Sequence, residues 1–300
     1  MRVTLAGILN INKPPGITSH TVVARVRRLT GQRKVGHAGT LDPMATGVLL
    51  LCLGQATRVA EYLMAGRKKY RAVIHLGVST DTYDAEGTVT QSVETFYLSQ
   101  DQIADTLASF QGTIQQVPPP YSAIRQNGRR LYQLARRGLA VHAPARRVEI
   151  SSVDMIAWQS PYLTLEVTCS PGTYVRSLAH DLGQVLGVGG HLSALTRLAS
   201  GEWRIEDAMT LDELQAAVET GCWEDLLHPL DAALRAFDRA DLPAGLARRV
   251  GQGQAIPLDP LPKTLLARAY DPDGRLIALL QPSNEPGFWR PRKVFTPISL

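Results

Sequence analysis

Cysteine is scarce in this 300-residue chain: Cys52, Cys169 and Cys222 are odd in number and far apart. That excludes a disulfide framework and any recognisable cysteine metal spacing, and it predicts reduced thiols in a core. Long hydrophobic runs are missing as well. Val48–Leu53 is the kind of apolar stretch the chain has, far short of a membrane span. Met1-Arg2 lead into a short strand-like segment, not a secretory leader. The sequence has no glycine-rich dinucleotide fingerprint, no P-loop, no His/Cys metal motif, no internal repeat and no low-complexity tract. Cofactor-dependent and membrane-spanning classes therefore lose their usual signatures.

What remains is an ordinary globular composition, 44% hydrophobic, with a mean hydropathy of −0.07. The length predicts one large domain and one small one, divided here into residues 1–235 and 236–300. A net charge of +5 permits a polyanionic partner. Its distribution is more telling. Residues 118–147 contain seven arginines, among them Arg125, Arg129 and Arg130, and no Asp or Glu. The rest of the chain is therefore net negative. Tyr121 and Tyr132 lie among these arginines, so phosphate contacts and stacking surfaces share one stretch, as nucleic-acid binding requires. A solvated surface would mix signs.

Periodicity predicts a strand at Ile8–Ile11 and a helix capped by Thr18 or Ser19 that buries Val22, Val23, Val26 and Leu29 and stops at Gly31. A helix over Ala56–Ala65 and a strand at Ala72–Leu76 follow. Ser99 with Gln102, and Thr210 with Glu213, read as capping boxes. Val148–Met155 and Leu163–Cys169 alternate as half-buried strands, and Thr173–Leu186 reads as a helix. Strands at Leu265–Tyr270 and Arg275–Leu280 flank the turn Asp271-Pro272-Asp273-Gly274. Helices and strands without strict alternation imply an α+β fold around a largely antiparallel mixed sheet, with a small β-rich unit at the C-terminal end.

The most constrained stretch is Gly36-His37-Ala38-Gly39-Thr40-Leu41-Asp42-Pro43-Met44-Ala45-Thr46-Gly47-Val48. Glycines allow close backbone approach and Pro43 fixes its φ, so Asp42 sits on a stiff loop feeding a buried strand. This motif resembles the catalytic motif of the TruB family, the bacterial tRNA pseudouridine-55 synthases. INKPPGITSH, KKYRAVIHLG, STDTYDAEGTV, SPGTYVRSLAHDLG and GGHLSALTRLASGEW resemble further blocks of that family, in its order, from about residue 8 to about residue 205. Ala38 and Met44 are mild departures.

The resemblance implies a pseudouridine synthase fold, an isomerase of uridine in the tRNA T loop at position 55, and no cofactor or metal. It implies Asp42 as nucleophile, Arg176 as the cation beside it, and Tyr70 as the tyrosine packed on the target base and a candidate for proton transfer. His37 matches the residue that fills the place of the flipped base. Tyr174 either shapes the pocket or packs in the core. Lys13 fits backbone support better than catalysis, and Asp81 and Asp84 fit loop-holding or pairing with basic residues. Residues 118–147 match an RNA-gripping insertion that carries Arg125, Arg129 and Arg130, and the C-terminal unit resembles a PUA domain. A cytoplasmic monomer with tRNA as partner is expected.

The chemistry agrees with these residue types. Pseudouridine formation breaks the C1′–N1 bond, turns the uracil and joins its C5 to C1′, exchanging no electrons with a cofactor. A carboxylate suits an electron-poor sugar carbon, as in glycosidases. Two routes fit the sequence equally: addition of Asp42 to C1′, or a glycal intermediate. His180 and Asp181 invite a charge-relay reading, but no supported nucleophilic Ser or Cys accompanies them.

Overall fold

The computed structural model describes residues 5–122, 125–126, 129–130 and 143–295. The first part runs β1 (Gly7–Lys13), α1 (Ser19–Thr30), β2 (Val35–His37), β3 (Thr46–Leu53), α2 (Ala60–Ala65), β4 (Lys68–Leu76), β5 (Val78–Thr80), β6 (Val89–Ser92), α3 (Gln100–Ala108) and β7 (Gly112–Gln116). The backbone pair β8 (Arg125–Gln126) and β9 (Arg129–Arg130) follows. Then come β10 (Arg146–Gln159), β11 (Tyr162–Cys169), α4 (Val175–Val185), β12 (Gly190–Ser200), β13 (Trp203–Arg204) and α5 (Leu211–Thr220). The last part holds β14 (Asp238–Asp241), α6 (Ala244–Gly251), β15 (Ile256–Pro257), β16 (Ala267–Tyr270), β17 (Leu276–Pro282) and β18 (Phe288–Val294).

The large sheet has the strand order β1-β3-β12-β4-β11-β10-β7, with β2 attached to β3 and β13 to β12. Its pairings are antiparallel except for a two-residue parallel contact, Thr196 with Thr46 and Arg197 with Gly47. A second sheet, ordered β14-β16-β17-β18-β15, forms the β-rich unit expected near the C-terminal end. The fold is thus α+β around a largely antiparallel sheet.

Strand β3 explains its own composition. Leu49, Leu51 and Leu53 join one core cluster, with α1, α3 and α4 supplying Val22, Val26, Ile103, Leu107, Leu178 and Leu182. Val48, Leu50 and Cys52 face a second cluster that includes Leu234, Leu279 and Phe295. A strand buried on both faces needs apolar residues at every position rather than alternation.

Capping chemistry set the helices where expected. Thr18 accepts from Thr21 N at 3.0 Å, and Gly31 closes α1 in the left-handed region at φ 69°. Both capping boxes are formed, at Ser99/Gln102 and Thr210/Glu213. Three expectations are corrected. The helix expected over 56–65 is a 3-10 turn, Gly54–Arg58, followed by the short α2, with Val59 at φ −108° breaking the two. Tyr174 caps α4 instead of lying inside it. Cys222 is exposed, unlike the buried Cys52 and Cys169. Among the described residues, no helix is long and apolar enough to cross a membrane.

Candidate active site

Asp42 stands on the connection between β2 and β3, and the polar backbone groups around it are held largely by side chains from elsewhere. Ser19, at the start of α1, accepts from Leu41 N at 2.9 Å and donates to Leu41 O at 3.1 Å. Lys13 Nζ donates to the carbonyls of Pro14 at 2.8 Å, Ile17 at 2.7 Å and Pro43 at 3.0 Å. Arg197 donates to Gly39 O at 3.1 Å and Thr40 O at 3.3 Å. Asp42 O itself accepts from Ala45 N at 3.1 Å, closing the turn at Pro43. Buried backbone groups need partners, and here the partners also fix the loop.

Gly47 shows how tightly this loop closes. Its φ is +96°, and a Cβ there would lie 2.3 Å from Arg197 O. Only glycine fits so near a neighbouring strand in that conformation.

The Asp42 carboxylate meets Arg176, which α4 presents from the far side of the cavity. Arg176 Nε lies 3.0 Å from Asp42 Oδ2, and Nη2 donates to Oδ1 at 3.3 Å. Nη1 also reaches Asp84 Oδ2 at 3.1 Å and Thr82 O at 3.4 Å, while Nη2 donates to Tyr121 O at 3.2 Å. Asp84 is fixed in turn by Thr82 Oγ1 at 2.6 Å and Glu86 N at 3.1 Å. Arg176 and Asp84 side chains are 7% and 5% exposed, whereas Asp42 is 36% exposed. One guanidinium is therefore shared by a sealed carboxylate and one that still faces the cavity. Burial pushes the Asp42 carboxyl above its ordinary range. Arg176 opposes that push, Asp84 adds to it and Lys13 opposes it.

The cavity in front of Asp42 has a volume of ≈ 900 Å³, ample for a nucleotide. Tyr70, Tyr174, Asp84, Glu86, Leu195 and Arg197 are among its walls. Tyr70 lies on β4 opposite Arg197 of β12. Burial raises the Tyr70 hydroxyl, and the neighbouring Arg197 guanidinium partly offsets it. Tyr174 is placed by Gln116, whose side chain bonds both its N–H at 2.7 Å and its carbonyl at 3.0 Å. Its residue lines the cavity, the position the pocket-shaping alternative needs.

Other expected residues lie further out. His37 is outside the cavity lining, on β2, with its ring edge-on to His20 at 5.1 Å; burial lowers its pKa, and His20 and Arg197 lower it further. Lys13 is wholly buried and its three donors are spent on carbonyls, which makes it a loop support; burial pulls its pKa down to about 8. Asp81 Oδ1 accepts from Thr88 N at 2.8 Å and holds its turn. His180 stacks on Tyr83 at 3.8 Å and forms no relay among the described residues. The side chains of Arg125, Arg129 and Arg130 lie outside the described residues.

Two supporting residues are not evident as such in the sequence. Ser19 is visible there only as a capping candidate. Arg197 does leave a signal: in Leu195-Thr196-Arg197 it shares strand parity with the buried Leu195, where an arginine is anomalous.

Residues 27–175 match the model of the TruB family pseudouridylate synthase N-terminal domain. Residues 176–238 match that of the tRNA pseudouridylate synthase B C-terminal domain. The chain belongs to the TruB family. Among its relatives, tRNA pseudouridine synthase B of Dehalococcoides mccartyi strain BAV1 is 43% identical over 289 residues, covering 96% of each chain. The enzyme of the same name from Pelotomaculum thermopropionicum is 41% identical over 307 residues, covering 98% of this chain and 96% of the other. Among solved structures, a Cbf5-Nop10-Gar1 complex matches with a TM-score of 0.76 at 27% identity, over 97% of this chain and 85% of that one. An H/ACA RNP bound to a substrate RNA containing 2′-deoxyuridine matches at 0.73 and 26%, with 97% and 85% covered. TruB membership makes the chain a pseudouridine synthase.

Proposed function

We propose that this TruB-family synthase isomerises uridine to pseudouridine at position 55 in the T loop of tRNA, with Asp42 as its nucleophile. The observation that carries the reading is the Asp42–Arg176–Asp84 array at the floor of a nucleotide-sized cavity. Arg176 is sealed on one side by Asp84, so its free edge holds a single, partly exposed carboxylate beside the space a ribose would fill. The names of the curated relatives support tRNA as the substrate.

In this reading the target nucleotide leaves its stack and enters the cavity, at a cost of about a few kcal/mol offset by contacts with the protein. Ionised Asp42 acts at the ribose as C1′–N1 breaks, either adding to C1′ or assisting formation of a glycal. The freed uracil anion turns against Tyr70; C5 bonds to C1′ as Asp42 leaves it, or as the glycal regains its C2′ proton; the C5 proton departs to solvent and N1 takes one up. Arg176 keeps Asp42 ionised and in place through these steps, because an unpaired carboxylate in a closed site would take up a proton. His37, on the strand leading into the loop, would occupy the gap the flipped base leaves. The arginine-rich segment 118–147 grips the RNA backbone, residues 236–300 form a PUA-like RNA-binding domain, and the enzyme works as a cytoplasmic monomer.

The H/ACA matches raise one alternative, a catalytic subunit that needs a guide RNA and partner proteins. Seven clustered arginines without an acid favour a chain that grips its own substrate. Release of tritium from C5-labelled, unmodified tRNA transcript tests this directly. Release by wild type, abolished by Asp42→Asn and by changing the target uridine, is the expected result. Tight binding without release would turn the reading towards guide dependence or RNA chaperoning. Release by Asp42→Asn would remove Asp42 as nucleophile.

A further inference from the structure

Arg197 is 2% exposed, one of the largest fully buried side chains of the protein, and among the described residues it forms no ion pair with a carboxylate. A guanidinium does not shed its proton, so this is a permanent, desolvated cation, a costly thing to keep where a methionine would pack. Its donors reach three carbonyls: Nε to Val48 O at 2.6 Å, Nη1 to Thr40 O at 3.3 Å and Nη2 to Gly39 O at 3.1 Å.

Those acceptors have a pattern. Along one edge of β3, β2 pairs residues 51–53 and β12 pairs residues 46–47. Leu50 O, in the interval, accepts from Ala38 N at 2.8 Å, which leaves Val48 O to the Arg197 side chain. The loop that carries Asp42 leaves at Gly39 and returns at Gly47, and both ends close on Arg197: a Cβ on Gly39 would lie 3.7 Å from Nη1, and one on Gly47 would meet the Arg197 backbone. Arg197 and Tyr70 are direct cross-strand partners on β12 and β4, and the guanidinium acts on the Tyr70 hydroxyl.

We infer that Arg197 is a positioning residue of the isomerisation, setting the Asp42 loop and the Tyr70 hydroxyl in one frame behind the reacting nucleotide. The inference rests on the proposed function of this cavity. Arg197 works through Asp42 and Tyr70, so its loss changes the bound reaction and leaves RNA capture intact.

Arg197→Lys keeps the charge but loses the fork that spans three carbonyls. With enzyme in excess over tRNA, the single-turnover rate is expected to fall about a hundredfold, as for misplaced catalytic groups. The Kd for tRNA should stay within about twofold, since the substitution touches no group that would hold phosphate. A double-mutant cycle with Tyr70→Phe should be non-additive, because both act on one hydroxyl. Gly39→Ala strains the same loop through its φ of +104° and should lower the rate with Kd unchanged even if Arg197→Lys folds poorly. An unchanged rate in folded Arg197→Lys, a loss carried entirely by Kd, or strict additivity with Tyr70→Phe would overturn the assignment. Wild-type enzyme that releases no tritium would instead overturn the function on which it rests.

Discussion

Arg176 meets Asp42 across 134 residues of sequence, Nη2 to Oδ1 at 3.3 Å, while its Nη1 holds Asp84 at 3.1 Å. The planar fork is what lets one cation serve two carboxylates at once. Arg176→Lys retains the charge but can aim at only one of them. The single-turnover rate of pseudouridine formation should fall at least about a hundredfold. Arg176→Met should also destabilise the protein, by about 3–5 kcal/mol on urea titration, by stranding buried Asp84. An active Arg176→Met enzyme would contradict the arrangement.

Asp42 lends itself to a test of sign. Its folded-state pKa is raised above 3.8, chiefly by burial. A raised carboxyl stabilises the fold when protonated, and that contribution is lost as pH rises through the folded pKa. At neutral pH the charge therefore costs stability. Asp42→Asn should melt no lower than wild type at pH 7, and its advantage should shrink as pH is lowered. On the proposed role of ionised Asp42, wild-type activity should fall on the acid side with a midpoint above 3.8.

Ser19 does more for the loop than its place at a helix start suggests. It is 2% exposed and satisfies both polar groups of Leu41. Ser19→Ala leaves a buried N–H unpaired, a loss of about 1–3 kcal/mol. The rate should drop with it while tRNA binding holds, measured by single turnover and filter binding. Equal stability of the variant would mean the contact is idle.

Glycines of like φ should respond differently according to what surrounds them. Gly16, at φ +78°, has no atom within 4 Å of the place a Cβ would take, so Gly16→Ala should cost only about 1–2 kcal/mol for the left-handed backbone. Gly47, at φ +96°, would drive that carbon to 2.3 Å from Arg197 O. Gly47→Ala should lose both stability and activity, beyond what Gly16→Ala loses, as read from denaturation midpoints and tritium release.

For the arginine-rich segment the expected readout is ionic. Replacing Arg125, Arg129 and Arg130 by Gln should flatten the dependence of log K on log salt by ~0.7–0.9 for each phosphate no longer neutralised. The rate at saturating enzyme should change little. A collapse of that saturated rate would place these arginines in the chemistry instead of the grip.

The sequence disclosed those parts of the molecule in which local chemistry decides the outcome. Thr18, Ser99 and Thr210 announced their helices because caps act within a few residues. Asp42 was legible from its glycine- and proline-rich frame, and Arg176 only through resemblance, since nothing near it in sequence says what it will face. Strand β12 is not legible in the sequence: Gly190–Ser200 mixes small, polar and apolar residues, and register shifts between Leu192/Ala194 and Arg197/Ala199 break its period of two. Arg197 shows in the sequence only as an arginine at the parity of buried Leu195; its role, to fill a gap between strands, exists only in three dimensions.

The reach of these contacts also bears on how the protein is made. The loop of Asp42 lies early in the chain, yet its fixtures are Arg176, 134 residues later, and Arg197, 158 residues beyond Gly39. A nascent chain emerging from the ribosome at about 5–20 residues per second therefore carries the Asp42 loop for roughly 7–30 seconds before its fixtures exist. Half-made copies have the carboxylate but not the frame, which is complete only once β12 has been delivered.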